Sequence, residues 1–101
     1  MATPEAKVKK KVKELLKEFG VYYTMQVTGG FGNSGVPDII ACHRGRFYGI
    51  ECKAGKNTPT LLQSFNLDSI TKASGVAIVV HENNIEELRQ LLISELGCNR
   101  S

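Results

Sequence analysis

Val76-Ala77-Ile78-Val79-Val80 is an uninterrupted apolar run between Gly75 and a downstream helix start. A short run dominated by β-branched residues, with no polar alternation, is a strand that leaves neither face to solvent. It reads as a central strand covered on both faces, which requires helices packed against a sheet. Upstream, Thr3-Pro4-Glu5 opens a helix with a capping hydroxyl, a proline at the first helical position and an acid in the first turn. Val8, Val12, Leu15, Leu16 and Phe19 recur at helical spacing before Gly20, so a helix is expected over residues 4–19. Residues 21–27, β-branched and aromatic, read as a strand, and at least one of Tyr22 and Tyr23 is expected in the core.

Asp38-Ile39-Ile40-Ala41-Cys42-His43 and Arg46-Phe47-Tyr48-Gly49-Ile50-Glu51-Cys52-Lys53 form two further strands joined by Arg44-Gly45. A second helix opens at Thr58-Pro59 or at Thr60 with Gln63 as its capping-box partner, and carries Leu61, Leu62, Phe65, Leu67 and Ile70. Asn84, with Glu87 three positions on, starts a last helix that Gly97 closes. The order αβββαβα gives an α/β fold: a mixed central sheet flanked by helices, in one domain over residues 1–101.

Composition excludes several classes. The 101 residues are 42% apolar and 23% charged, which is neither a disordered tail nor a collagen-like repeat. No stretch approaches the roughly 20 apolar residues of a membrane span, and no apolar h-region follows the basic N-terminus. Three cysteines without paired spacing fit a reducing compartment and a cytoplasmic location. The net charge of +3 is uneven, with +5 on residues 1–56 and −2 on the remainder. A polyanion is expected to meet the first half; the plainer reading is a solvated, lysine-rich helix face.

The hairpin carries the chemistry. With Arg44-Gly45 as its two loop residues, His43 pairs with Arg46, Ile39 with Ile50, and Asp38 falls opposite Glu51. Opposed residues share a face, with Cβ atoms about 4.5–5.5 Å apart. Lys53 shares that face, about 6.6 Å along the strand. A three-residue loop with a bulge would shift the pairing by one. Two facing carboxylates repel, folding alone gives no reason for them, and a divalent cation removes the repulsion. Paired carboxylates are hard oxygen donors suited to Mg²⁺, which stabilises charge on a phosphoryl oxygen and lowers the pKa of a bound water. Lys53 would orient or deprotonate that water, or neutralise the transition-state phosphate. The alternative is an ordinary ion pair between Lys53 and either acid. Glu-x-Lys alone is uninformative, since Glu5-Ala6-Lys7 also matches it.

Ser34-Gly35-Val36-Pro37-Asp38, Gly49-Ile50-Glu51-Cys52-Lys53-Ala54-Gly55-Lys56 and Thr58-Pro59-Thr60-Leu61-Leu62-Gln63 together resemble the PD-(D/E)XK nuclease superfamily. Within it they are most similar to the small stand-alone VRR-NUC branch of phage and bacterial origin, over residues 3–81. The resemblance implies an αβββαβ restriction-endonuclease-like core with an added C-terminal helix. It implies metal ligation by Asp38, Glu51 and the main-chain carbonyl of Cys52, with Lys53 catalytic. Glu5 is the first-helix acid expected to complete the site, with Glu14 and Glu18 as rivals, and Gln63 stands where relatives place a glutamine near the metal. Some relatives add a tyrosine four residues later, where this chain has Leu67, which leaves Gln63 a supporting role or a capping one. The implied activity is Mg²⁺-dependent endonucleolytic cleavage of DNA, with Mn²⁺ substituting. The implied substrate is a Holliday junction or other branched DNA, cut by a homodimer in a bacterial or phage-infected cell without a small-molecule cofactor. Lys7, Lys10, Lys11, Ser34, Arg44, Arg46 and Lys56 are the expected DNA contacts. A non-catalytic DNA-binding module and a subunit working through protein contact are the alternatives.

Cys42, His43 and Cys52 do not suggest a zinc site, because the register puts the two cysteines on opposite faces and at opposite ends. Cys42 and Cys98 read as core fillers and His43, beside the turn, as exposed. Residues 29–35, with four glycines around Phe31, Asn33 and Ser34, are either a phosphate-approaching loop or a plain connector.

Overall fold

The structure, a computed structural model, describes residues 3–26 and 35–97. Its elements are α1 (Pro4–Glu18), β1 (Tyr22–Met25), β2 (Ile39–His43), β3 (Arg46–Cys52), α2 (Leu61–Lys72), β4 (Val76–Val80) and α3 (Ile85–Gly97). The strands form one mixed sheet in the order β1-β2-β3-β4, antiparallel except for the parallel β3–β4 pair. The expected α/β architecture and element order are therefore present. Val27, Ser34, Cys98 and most of the glycine-rich loop lie outside the described residues.

Local chemistry explains the boundaries. Thr3 caps α1 by accepting the Ala6 N–H at 3.1 Å, and Pro4 starts the helix where no N–H is needed. Arg44 and Gly45 both take positive φ, 53° and 81°, as a two-residue type I′ turn requires. That turn fixes the hairpin register at Ile39↔Ile50 and His43↔Arg46, as counted, and removes the bulged alternative. Thr60 rather than Thr58-Pro59 opens α2, through a complete capping box with Gln63.

Val8, Val12, Leu15 and Leu16 of α1 and Leu88 and Leu92 of α3 bury against Ile39, Ala41, Tyr48, Ile50, Cys52, Ile78 and Val80 on one face of the sheet. On the other face α2 packs over β3 and β4, with Ile70 against Gly49. The β3–α2–β4 connection is the crossover that a parallel pair demands.

Four expectations need correction. β4 is helix-covered but lies at the edge of the described sheet, and β3 occupies the centre with β2 and β4 beside it. An apolar run reports which faces are covered, and α2 and α3 supply that cover whatever the strand's lateral position. His43 is only 4% exposed and lies edge-on to the Tyr48 ring, because strand alternation puts it on the core face with Ile39 and Ala41. The same alternation turns Cys42 out to solvent, so it is not a core filler. Asn84 does not make the expected capping box. Its side chain accepts from the His81 N–H and donates to the Val79 carbonyl, and the Glu87 N–H goes to the Asn84 main-chain carbonyl. Of the tyrosines, Tyr22 is exposed and Tyr23 packs against the core.

Gly35 ties the segment leading into Asp38 to the first turn of α2. Its φ is +84°, and an added Cβ would meet the Leu62 backbone carbonyl carbon and oxygen at 2.8 Å. Gly35→Ala is expected to lose about 1–3 kcal/mol of stability, from the strained φ together with the backbone clash. Chemical denaturation checks this, and a stability change below experimental error would show that the contact is not maintained.

Candidate active site

Asp38 and Glu51 meet where the open end of the β2–β3 hairpin lies beside the N-terminus of α1. Asp38 is the last residue before β2 and stands one step beyond the Ile39↔Ile50 pair, opposite Glu51. Its main-chain carbonyl accepts the Gln26 N–H at 2.8 Å, which extends the β1–β2 pairing to the site. Its Oδ2 accepts the Cys52 N–H at 2.9 Å, so the carboxylate bridges β2 and β3. Lys53 follows β3, and its main-chain N–H donates to the Val80 carbonyl at 3.0 Å. Every backbone that carries the site is thereby pinned to a neighbouring strand.

The acids are buried. Asp38 is 5% exposed and Glu51 2%, whereas carboxylates rarely lose that much water without firm partners. Glu51 Oε2 lies 3.6 Å from Lys53 Nζ, a long and imperfect ion pair. Glu51 Oε1 is buried with no hydrogen-bond partner. Burial, reinforced by the Asp38 charge and only partly offset by Lys53, pushes the Glu51 carboxyl up from 4.5 to about 7. The folded protein thus holds this acid at a cost that its own side chains do not relieve.

Cys52, between Glu51 and Lys53, points its thiol into the core, and burial followed by the Asp38 charge pushes that thiol up to about 12. With its side chain in the core cluster, Cys52 offers the site only its main-chain groups. Among the described residues no three His, Cys, Asp or Glu side chains converge as a closed metal cage. The donor set suits a cation that keeps several waters and needs only one or two carboxylates, as Mg²⁺ does. The orphaned Glu51 oxygen opposite Asp38 fits that demand.

Of the first-helix acids, Glu5 is linked to Asp38 through Lys9. Its Oε2 is 3.6 Å from Lys9 Nζ, and the same ammonium is 3.7 Å from Asp38 Oδ1. Glu18 is instead paired with Arg89 of α3 at 3.0 Å, which removes it from the contest. Gln63 makes the capping bond that its spacing from Thr60 allowed: its Oε1 accepts the Thr60 N–H at 2.9 Å. Lys7, Lys10 and Lys11 are exposed on α1, and Lys56 is exposed in the turn after β3. Arg44 and Arg46 sit at the opposite end of the hairpin; Arg46 is five residues from Glu51, or about 17 Å of extended strand. Arg46 Nε donates to the Ser74 carbonyl there. Ser34 lies outside the described residues.

Lys9 is a residue at the candidate site that the sequence reading did not single out. Its spacing from Glu5 signals an i,i+4 ion pair, but its reach to Asp38 depends on how α1 docks against the hairpin.

No family model, no curated protein and no solved structure matches this chain. No helix among the described residues is long and apolar enough to cross a membrane.

Proposed function

We propose that this chain is a Mg²⁺-dependent DNA endonuclease of the VRR-NUC type within the PD-(D/E)XK superfamily. The observation that supports it is the buried Glu51 carboxylate, with one oxygen unpartnered, beside a second buried acid and a lysine. A purely structural trio would bring its acids to partners or to water. When bound, the divalent cation supplies charge stabilisation at the scissile phosphate and an acidified water.

The chain's own groups do the rest. Asp38 and Glu51 present hard oxygens from two adjacent strands, and the Cys52 N–H bond to Asp38 Oδ2 fixes one of them. The Cys52 main-chain carbonyl would add a further oxygen ligand, while Glu5 stands beyond Lys9 at the edge of the site. Lys53 has a 14% exposed side chain, buried enough to be desolvated and open enough to reach a phosphate oxygen. It orients the attacking water and neutralises charge that develops on the phosphoryl oxygens. The exposed lysines of α1 and Lys56 neutralise flanking phosphates, so affinity falls as salt rises. A body of this size offers little surface for reading bases, which favours DNA shape, such as a four-way or other branched junction, over sequence. Incubation with labelled linear, flapped and four-way DNA and Mg²⁺ or Mn²⁺ tests the proposal. Cleavage, greatest on branched substrate, is expected; binding without cleavage under either metal would favour a non-catalytic module.

We also infer that the working unit is a homodimer, with α2 at the contact. That helix has no buried residue, Leu61 is 92% exposed, and Leu62, Phe65 and the adjacent Phe47 are exposed large hydrophobics. Apolar residues gathered on one helix face are characteristic of an interface. A Phe65→Glu variant is expected to sediment as a monomer where the parent protein sediments as a dimer. A parent protein that sediments as a monomer and still cuts junctions symmetrically would remove this inference.

A further inference from the structure

We propose that the Lys9 ammonium is the resident counter-ion of the acidic site, and that a divalent cation enters by displacing it. The inference rests on reading Asp38 and Glu51 as the acids that hold the metal.

Lys9 lies on α1, and its Nζ sits between two carboxylates that belong to different elements: Glu5 Oε2 at 3.6 Å and Asp38 Oδ1 at 3.7 Å. Both distances are longer than a tight charge-assisted hydrogen bond, so the ammonium is shared by both acids and fully bonded to neither. Asp38 is satisfied on its other oxygen by the Cys52 N–H, which leaves Oδ1 as the atom that a metal would take. Lys9 therefore stands at the metal-facing oxygen. Its side chain is 30% exposed and the Asp38 side chain 7%, so a long flexible stem reaches in from the helix surface and its head can withdraw without moving backbone.

Lys9 neutralises only part of the site. Its ammonium faces Asp38 and Glu5, Lys53 faces Glu51 Oε2, and Glu51 Oε1 stays buried without a partner. Two lysines thus hold the acids in the metal-free protein but leave one carboxyl oxygen unpartnered for an ion of higher charge. An ammonium and a divalent cation at one carboxylate oxygen repel each other, so loading requires Lys9 to leave. The freed ammonium stays tethered within one helical turn of Lys7, Lys10 and Lys11, where a DNA phosphate offers it a new partner. Metal and DNA then favour each other's binding through this one side chain.

Calorimetric titration of Mn²⁺ into DNA-free protein tests the proposal. Lys9→Met keeps the apolar stem and removes the charge, and is expected to bind Mn²⁺ about tenfold more tightly than the parent protein. Lys9→Gln is expected to follow it, which guards against a folding defect in one variant. Lys13→Met removes the same charge one turn further along α1 and is expected to stay within about twofold. In EDTA, Lys9→Met is expected to melt at a lower temperature than the parent, and saturating Mn²⁺ to restore the difference. Lys9 variants no tighter than Lys13→Met would overturn the displacement while leaving the metal site intact. Equal, weak uptake by the parent protein, Lys9→Met and Asp38→Asn would instead overturn the metal site itself, and the displacement with it.

Discussion

Lys53→Ala and Asp38→Asn are each expected to reduce DNA cleavage by about 10³-fold or more while leaving DNA affinity within about twofold. The two substitutions remove different things. Asp38→Asn keeps the shape and one carbonyl oxygen, but takes away the charge from the residue that joins β2 to β3 through the Cys52 N–H. Lys53→Ala removes the only ammonium paired with Glu51 among the described residues, and with it the group placed to stabilise charge developing on phosphate. Neither side chain belongs to the exposed lysine surface proposed to meet the DNA backbone, which is why binding should survive. Gel-shift and single-turnover cleavage on the same four-way DNA separate the two effects. Unchanged cutting by either variant contradicts the assignment of that residue. Lost binding together with lost cutting would mean that the site contributes to holding DNA rather than to turnover.

The metal-free protein is expected to lose stability as pH rises from about 4.5 through about 7, by an amount on the order of 3 kcal/mol. The direction follows from proton counts. Glu51 titrates near 4.5 when unfolded and near 7 when folded, so in that interval the folded state binds more protons and raising pH favours unfolding. Below pH 4.5 both states carry the proton and the contribution is complete; above 7 neither does and it is gone. Most carboxylates in ion pairs behave oppositely, which makes the sign diagnostic. Saturating Mg²⁺ should flatten the dependence, because a bound cation favours the ionised form in the folded state. Denaturant titrations at several pH values, with and without Mg²⁺, measure this. Glu51→Gln should remove the slope in the metal-free protein, and a slope that persists in that variant would place its origin in another group.

Much of the site could be read from the chain because it rests on strand arithmetic. A two-residue turn fixes every pairing of a hairpin, so Arg44-Gly45 placed Asp38 against Glu51 before any coordinate did. The boundaries of α1 followed from Thr3-Pro4 and Gly20, whose preferences are local. What resisted was set by packing between elements. Lys9 reaches Asp38 only because α1 docks its N-terminal turns beside the hairpin end. His43 stands beside a turn, yet alternation outranks proximity to a loop and puts it on the core face. The Val76–Val80 run revealed helical cover on two faces but carried no information on which strands lay alongside. Gln63 presented two chemistries at one spacing, and the capping geometry took its side-chain oxygen.

Anomalous diffraction from crystals grown with Mn²⁺ would decide whether Asp38 and Glu51 hold a divalent ion. One strong peak is expected within bonding distance of Asp38 Oδ1 and Glu51 Oε1, with Lys9 Nζ withdrawn from Asp38. Absence of any peak there at saturating Mn²⁺, with Lys9 still lodged between Glu5 and Asp38, would contradict it.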